Sequence, residues 1–158
     1  MVYVLDSSVY ISAKNLYYPF EVCPGFWEWI LLANSQGKLF SPDRVRAELL
    51  RQQDELTDWV RGSGSTLFVP MDNASNGALR QVSEYLNSNF DVAQVANFCR
   101  GADYHLVAMG LGKGWTVVTQ ESRRQKVNIP EVCRGLGVKC MTVFEMLKRE
   151  KPQFVLKR

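Results

Sequence analysis

Four acidic residues stand where a carboxylate is costly unless something neutralises it. Asp6 closes the apolar run of "YVLDSS", and Glu121 follows the other strongly apolar run, "WTVVTQES", two residues beyond Thr119. Glu48, in "VRAELL", has Val45 and Gln52 at i−3 and i+4 and Leu49 beside it, so on a helix it points partly inward. Asp103, in "ADYHLVAMGL", shares a helical face with Val107 and Gly110. Each acid also has an ordinary reading. Asp6 can cap a helix, Glu48 can pair with Arg44 or Arg51, Asp103 can open a helix, and Glu121 can be a loop charge. Taken together they invite another reading, because clustered carboxylates repel unless protons or cations neutralise them. A divalent cation does this. Hard oxygen ligands suit Mg2+ or Mn2+, and magnesium commonly binds through a few carboxylates together with substrate phosphate.

These acids need a scaffold that brings distant segments together. Val2 to Leu5 are apolar without interruption, which suits a strand covered on both faces, as in a parallel sheet flanked by helices. Ligands of such sheets bind beyond the carboxyl ends of the strands, where Asp6 falls. Downstream, "VYISAKN" begins a short helix, "PGFWEWILLANSQG" is a helix bounded by Pro24 and Gly37, and "KLFS" is a second strand. "SPDRVRAELLRQ" reads as a helix with Ser41 as N-cap, Pro42 in the first turn and Asp43 against the dipole, and "DELTDWVRG" continues helically. "TLFVP" is a third strand. "NGALRQVSEYLNSN", "VAQVANFCRG" and "ADYHLVAMGLGKG" are helical, "WTVVT" and "VKC" are strands, and "TVFEMLKRE" is a final helix. Strands alternating with helices predict a parallel sheet with helices on both faces, an α/β three-layer α/β/α sandwich. The 158 residues fit one domain over 1–150, leaving "KPQFVLKR" as a basic tail, 151–158.

Composition narrows the setting. With 46% hydrophobic and 22% charged residues the chain matches a soluble globular protein. Apolar stretches such as "WILLA" fall far short of the ~20 residues that span a bilayer, and the first apolar run lacks the length and basic leader of a signal peptide. A cytoplasmic protein is expected. The four cysteines form no CxxC pair, which argues against zinc. Net charge is +3, with Arg123, Arg124 and Lys126 clustered after the "WTVVT" strand and five more cations from Lys148 to Arg158. Such clusters fit a polyanion and are equally common as solvated surface. His105 lies two positions from Asp103, roughly 200° around a helix, and so faces elsewhere. "GLGKG" ends a helix before a strand, the reverse of a phosphate loop, and reads as turn chemistry. Phe26, Trp27, Trp29 and Trp59 fit core packing better than base stacking.

"YVLDSSVYI", "VRAELL", "ADYHLVAMGL" and "TVVTQES" resemble, in the same order, the acidic motifs of the PIN domain. More narrowly, "AKNLYYPFEVCPGFWEWI" and "GLGVKCMTVFEMLKRE" are similar to the PIN-like group DUF4411. The resemblance implies a parallel sheet of about five strands, an acidic pocket for Mg2+ or Mn2+, and ribonuclease activity of the kind found in VapC-like toxins. It also implies an RNA substrate, a cognate antitoxin protein and a homodimer. By position, Asp6, Glu48, Asp103 and Glu121 match the metal-holding acids, Thr119 belongs to the last motif, and Ser8 matches a small polar residue that orients the first acid. Glu121 departs from the aspartate usual there. Arg123, Arg124 and Lys126 would hold substrate phosphate. The rival expectation is a PIN-like protein that binds RNA or a protein partner without cutting.

Overall fold

Tyr3, Val4 and Leu5 lie at the centre of the molecule with almost no solvent exposure, because their strand has a neighbour on each side and helices over both faces. The computed structural model describes residues 1–63, 66–121 and 127–157. The chain runs β1 (Tyr3–Leu5), α1 (Ser7–Ser12), a π-helical turn (Ala13–Tyr17), α2 (Pro24–Ser35), β2 (Leu39–Pro42), α3 (Asp43–Leu49), α4 (Glu55–Gly62) and β3 (Phe68–Val69). It continues with α5 (Asn73–Asn89), α6 (Val92–Arg100), α7 (Ala102–Lys113), β4 (Thr116–Val118), α8 (Ile129–Leu136), β5 (Cys140–Met141) and α9 (Val143–Glu150). The five strands order as β3-β2-β1-β4-β5, and every pairing is parallel. The expected α/β/α sandwich is what forms.

Alternation along β1 divides the core. Tyr3 and Leu5 face a cluster built with Phe26, Trp27 and Ile30 of α2, Val45 and Leu49 of α3, and Val143 and Met146 of α9. Val4 faces the other side, with Val82, Leu106, Met109 and Ile129 from α5, α7 and α8. The aromatic residues follow this packing: Trp27 stacks on Phe20 and sits edge-on to Trp59, so their core reading holds. The last segment is not loose, since Phe154 lies against Gly25 and ring-to-ring with Phe26.

Three local expectations change and one further helix forms. Ser41 is not a cap: it is a fully buried residue of β2 that donates to the Leu5 carbonyl at 2.8 Å and meets the Tyr10 hydroxyl at 2.7 Å. The stretch after α3 does not continue the helix. Asp54 caps a new one, accepting from the Thr57 amide, while the Thr57 hydroxyl donates to the Gln52 carbonyl and fixes the break. Helix α8 was not foreseen, although Asn128 caps it through the Glu131 amide and Pro130 sits in its first turn. Of the "GLGKG" glycines only Gly114, at φ +68°, makes a turn. Gly110 and Gly112 lie within α7, where a side chain would strike Val117 and the Ala74 backbone respectively.

That last contact yields a stability test. A methyl on Gly112 meets a main-chain carbonyl of α5 that cannot swing aside, so Gly112→Ala is expected to cost about 2–3 kcal/mol. Gly77, exposed on α5 with open space around its Cα, provides the contrast. Gly77→Ala should gain roughly 0.5–1 kcal/mol from helix propensity alone. Urea unfolding of the pair decides whether α5 and α7 approach this closely.

Candidate functional site

Leu5 and Val118 are register partners in adjacent parallel strands, so the residues that follow them emerge side by side. Asp6 and Thr119 are these residues. The Asp6 carboxylate is almost fully buried and held, among the described residues, by four donors: the Ser7 amide at 2.8 Å, the Ser7 hydroxyl at 3.4 Å, the Ser8 hydroxyl at 2.6 Å and the Thr119 hydroxyl at 3.0 Å. Asp6 therefore does cap α1, and it also faces the sheet's carboxyl edge. Ser8 in turn accepts from the Gln120 amide at 3.0 Å, which ties the end of β4 to the start of α1.

The other acids arrive from helices and from the loop after β4. Val45 and Leu49 anchor α3 in the core, leaving Glu48 on the edge of that face. Its carboxylate accepts from the Ser7 hydroxyl at 2.9 Å and from the Ala102 amide, first in α7, at 3.0 Å. The anticipated ion pair of Glu48 with Arg44 or Arg51 does not form. Glu121 accepts from the Ile129 amide at 3.0 Å and so holds the start of α8. Its own amide donates to the Thr119 hydroxyl. Asp103, in the first turn of α7, has no hydrogen-bond or ion-pair partner among the described residues. Beside Thr119 and Glu121 a cavity of about 370 Å³ opens between α8, β5 and α9.

Electrostatics join the four. Burial pushes the Asp103 carboxyl up to about 8, and the charges of Asp6, Glu121 and Glu48 push in the same direction. Burial also raises Asp6, against the pull of its hydroxyl and amide donors and with a further push from Glu48. Glu121 is raised by burial and by Asp6, with the Ile129 amide opposing. Acids separated by as many as 115 positions in the chain, 121 − 6, thus sense one another at the end of the sheet. His105 behaves differently. It is buried, and burial and Arg44 hold it below its ordinary 6.5, so it stays uncharged near neutrality.

The donor set is all oxygen, which suits a hard divalent cation. Among the described residues, however, no three His, Cys, Asp or Glu side chains converge closely enough to hold a metal ion as they stand. The carboxylates of Asp6, Glu48 and Glu121 are instead turned onto hydroxyl and amide donors. Arg123, Arg124 and Lys126, expected to meet substrate phosphate, lie outside the described residues. Ser7 is the member that sequence reasoning passed over. Its hydroxyl bridges Asp6 and Glu48, and the only signal was its place between Asp6 and Ser8.

Fold and site together define a parallel α/β/α domain with carboxylates gathered beyond the strands' carboxyl ends. The chain belongs to the family described as a domain of unknown function, DUF4411, whose model matches residues 3–154. No curated protein matches it. Among the described residues no helix is long and apolar enough to cross a membrane.

Proposed function

We propose that the domain is a PIN-like, Mg2+- or Mn2+-dependent endoribonuclease. What carries this reading is the position of Asp103: an acid with no hydrogen-bond or ion-pair partner among the described residues, pushed to about 8 in a site it shares with Asp6, Glu48 and Glu121. Strongly perturbed carboxyls gathered at a sheet's carboxyl edge are characteristic of catalytic sites. In this proposal the four acids take a divalent ion, exchanging some of their hydroxyl and amide donors for it. When bound, such an ion supplies a nucleophilic water of lowered pKa and charge stabilisation at a phosphodiester.

The chain's own residues do the rest. Ser8 and Thr119 orient Asp6 through two short hydroxyl contacts to one carboxylate oxygen. Ser7 keeps Glu48 in line with Asp6. Glu121, through the Ile129 amide, fixes the mouth of the neighbouring cavity. The resemblance extends the proposal to a toxin–antitoxin setting, with a cognate antitoxin and a homodimer.

A defined single-stranded RNA incubated with Mg2+ or Mn2+ tests the reading. The expected products carry a 5′-phosphate and a 3′-hydroxyl, and both EDTA and Asp6→Asn should stop their formation. RNA bound but left uncut in either metal would instead favour the non-cleaving PIN-like binding protein.

A further inference from the structure

Arg44, Ala47, Glu48 and Arg51 recur at i, i+3, i+4 and i+7, so α3 and the turn after it present them as one stripe. Opposite, Asn97 and Arg100 stand at i and i+3 at the end of α6. The two stripes enclose a groove of about 580 Å³ whose floor reaches the first residue of α7. Ala47 is small and leaves the groove open between its charged neighbours. All three arginines are exposed, and none forms an ion pair among the described residues.

Among the described residues the one acid lining the groove is Glu48, and both of its oxygens are already engaged, one by the Ala102 amide and one by the Ser7 hydroxyl. That hydroxyl also touches Asp6. The groove therefore ends at the acidic cluster, with Glu48 as the shared wall. Three guanidinium groups with no ion-pair partner among the described residues, beside a cluster of carboxylates, form a bipolar surface. It repels simple acidic ligands at one end and attracts anions along the other.

We propose that this groove seats the sugar–phosphate backbone of the strand being cut, with Arg44, Arg51 and Arg100 against its phosphates. This rests on the nuclease reading above and adds the side from which the strand enters. Arginine suits the role because its planar fork meets phosphate oxygens in pairs. Among the described residues no aromatic side chain lines the groove, so its described lining offers none of the stacking platforms that hold bases. Its contribution is to the backbone and is blind to sequence.

Fluorescence anisotropy of a labelled mixed-sequence single-stranded RNA, in EDTA to prevent cleavage, tests the groove through salt dependence. Each phosphate neutralised on a single strand contributes roughly −0.7 to the slope of log K against log salt. The triple variant Arg44→Ala, Arg51→Ala, Arg100→Ala should therefore flatten the slope by about 2 and lose at least tenfold in affinity. The corresponding lysine triple should keep most of the slope, since charge is retained. Arg80→Ala, at a highly exposed position of α5 that pairs with Glu84 and does not line the groove, should change nothing. Single-stranded DNA of the same length should lose the same factor as RNA.

An alanine triple that retains wild-type affinity and slope overturns the proposal. So does a wild type that fails to bind, or poly-glutamate displacing RNA at equal charge. The two readings separate cleanly. Loss of binding in the triple, without cleavage by the wild type in Mg2+ or Mn2+, keeps the groove and removes the nuclease. Cleavage with unchanged KM in the triple does the reverse.

Discussion

Asp103→Asn should lower metal-dependent RNA cleavage on the order of a thousandfold while making the metal-free protein more stable at pH 8. Asparagine keeps the shape of aspartate and removes its charge. In the proposed enzyme that charge holds the cation, so the loss should appear in kcat and should not be rescued by raising the metal concentration modestly. In the metal-free chain the same charge is a liability, because burial and three other acids oppose it. Initial rates in Mn2+ and urea unfolding at pH 8 measure the two effects separately. A variant that cleaves normally removes Asp103 from the mechanism. A variant with no gain in metal-free stability contradicts the electrostatic reading of the site.

The second large effect is a fall in metal-free stability between pH 4 and pH 8. Asp103 is raised from its ordinary 3.8 to about 8, so in this window the folded chain keeps a proton that the unfolded chain has released. Its contribution is complete below 3.8 and is lost as the pH rises through about 8. A shift of that size corresponds to several kcal/mol in order of magnitude. Asp6 and Glu121, both raised, add in the same direction. Asp72 works oppositely: its Lys113 partner and the Ser75 amide lower it to about 2, so its contribution is lost as the pH falls from 3.8 through that value.

His105, held below 6.5, also favours folding at higher pH. It is common to the wild type and Asp103→Asn, so the difference between their pH profiles cancels the histidine and leaves Asp103 together with its coupling to Asp6, Glu121 and Glu48. Mn2+ should raise the melting temperature of the wild type at pH 8 much more than at pH 5, where the proton competes with the ion. Equal shifts at both pH values would contradict the reading.

How far the sequence predicts these features depends on whether a residue's neighbours are local. Strands β1 and β4 are legible because Val4 and Val117 are buried on a sheet face and sit within unbroken apolar runs. The four acids are legible because each interrupts an apolar pattern at an element boundary. Ser41 was misread since a serine before Pro42 and Asp43 carries every local mark of a cap, while its true partners, Tyr10 and Leu5, are more than thirty positions away. Helix α8 was missed because eight residues containing Pro130 and Gly135 carry weak helical propensity. Tertiary contact supplies what propensity does not, with Ile129, Val132 and Cys133 buried against the sheet. Arg44 and Arg51 were visible only as partners for Glu48. Once Glu48 turns to Ser7 and Ala102, their charges are left facing the groove.

The placement of the first strand at the middle of the sheet has a consequence for how the protein could be divided. Residues up to Val69 form β1, β2 and β3 with most of one core cluster, and the remainder forms β4 and β5 with most of the other. A cut near Pro70 would therefore yield two fragments meeting along the edge between β1 and β4, each carrying two of the four carboxylates. Asp6 and Glu48 would travel with one piece, Asp103 and Glu121 with the other. Reassembly of the two pieces would then be a switch, since neither alone contains the whole acidic set.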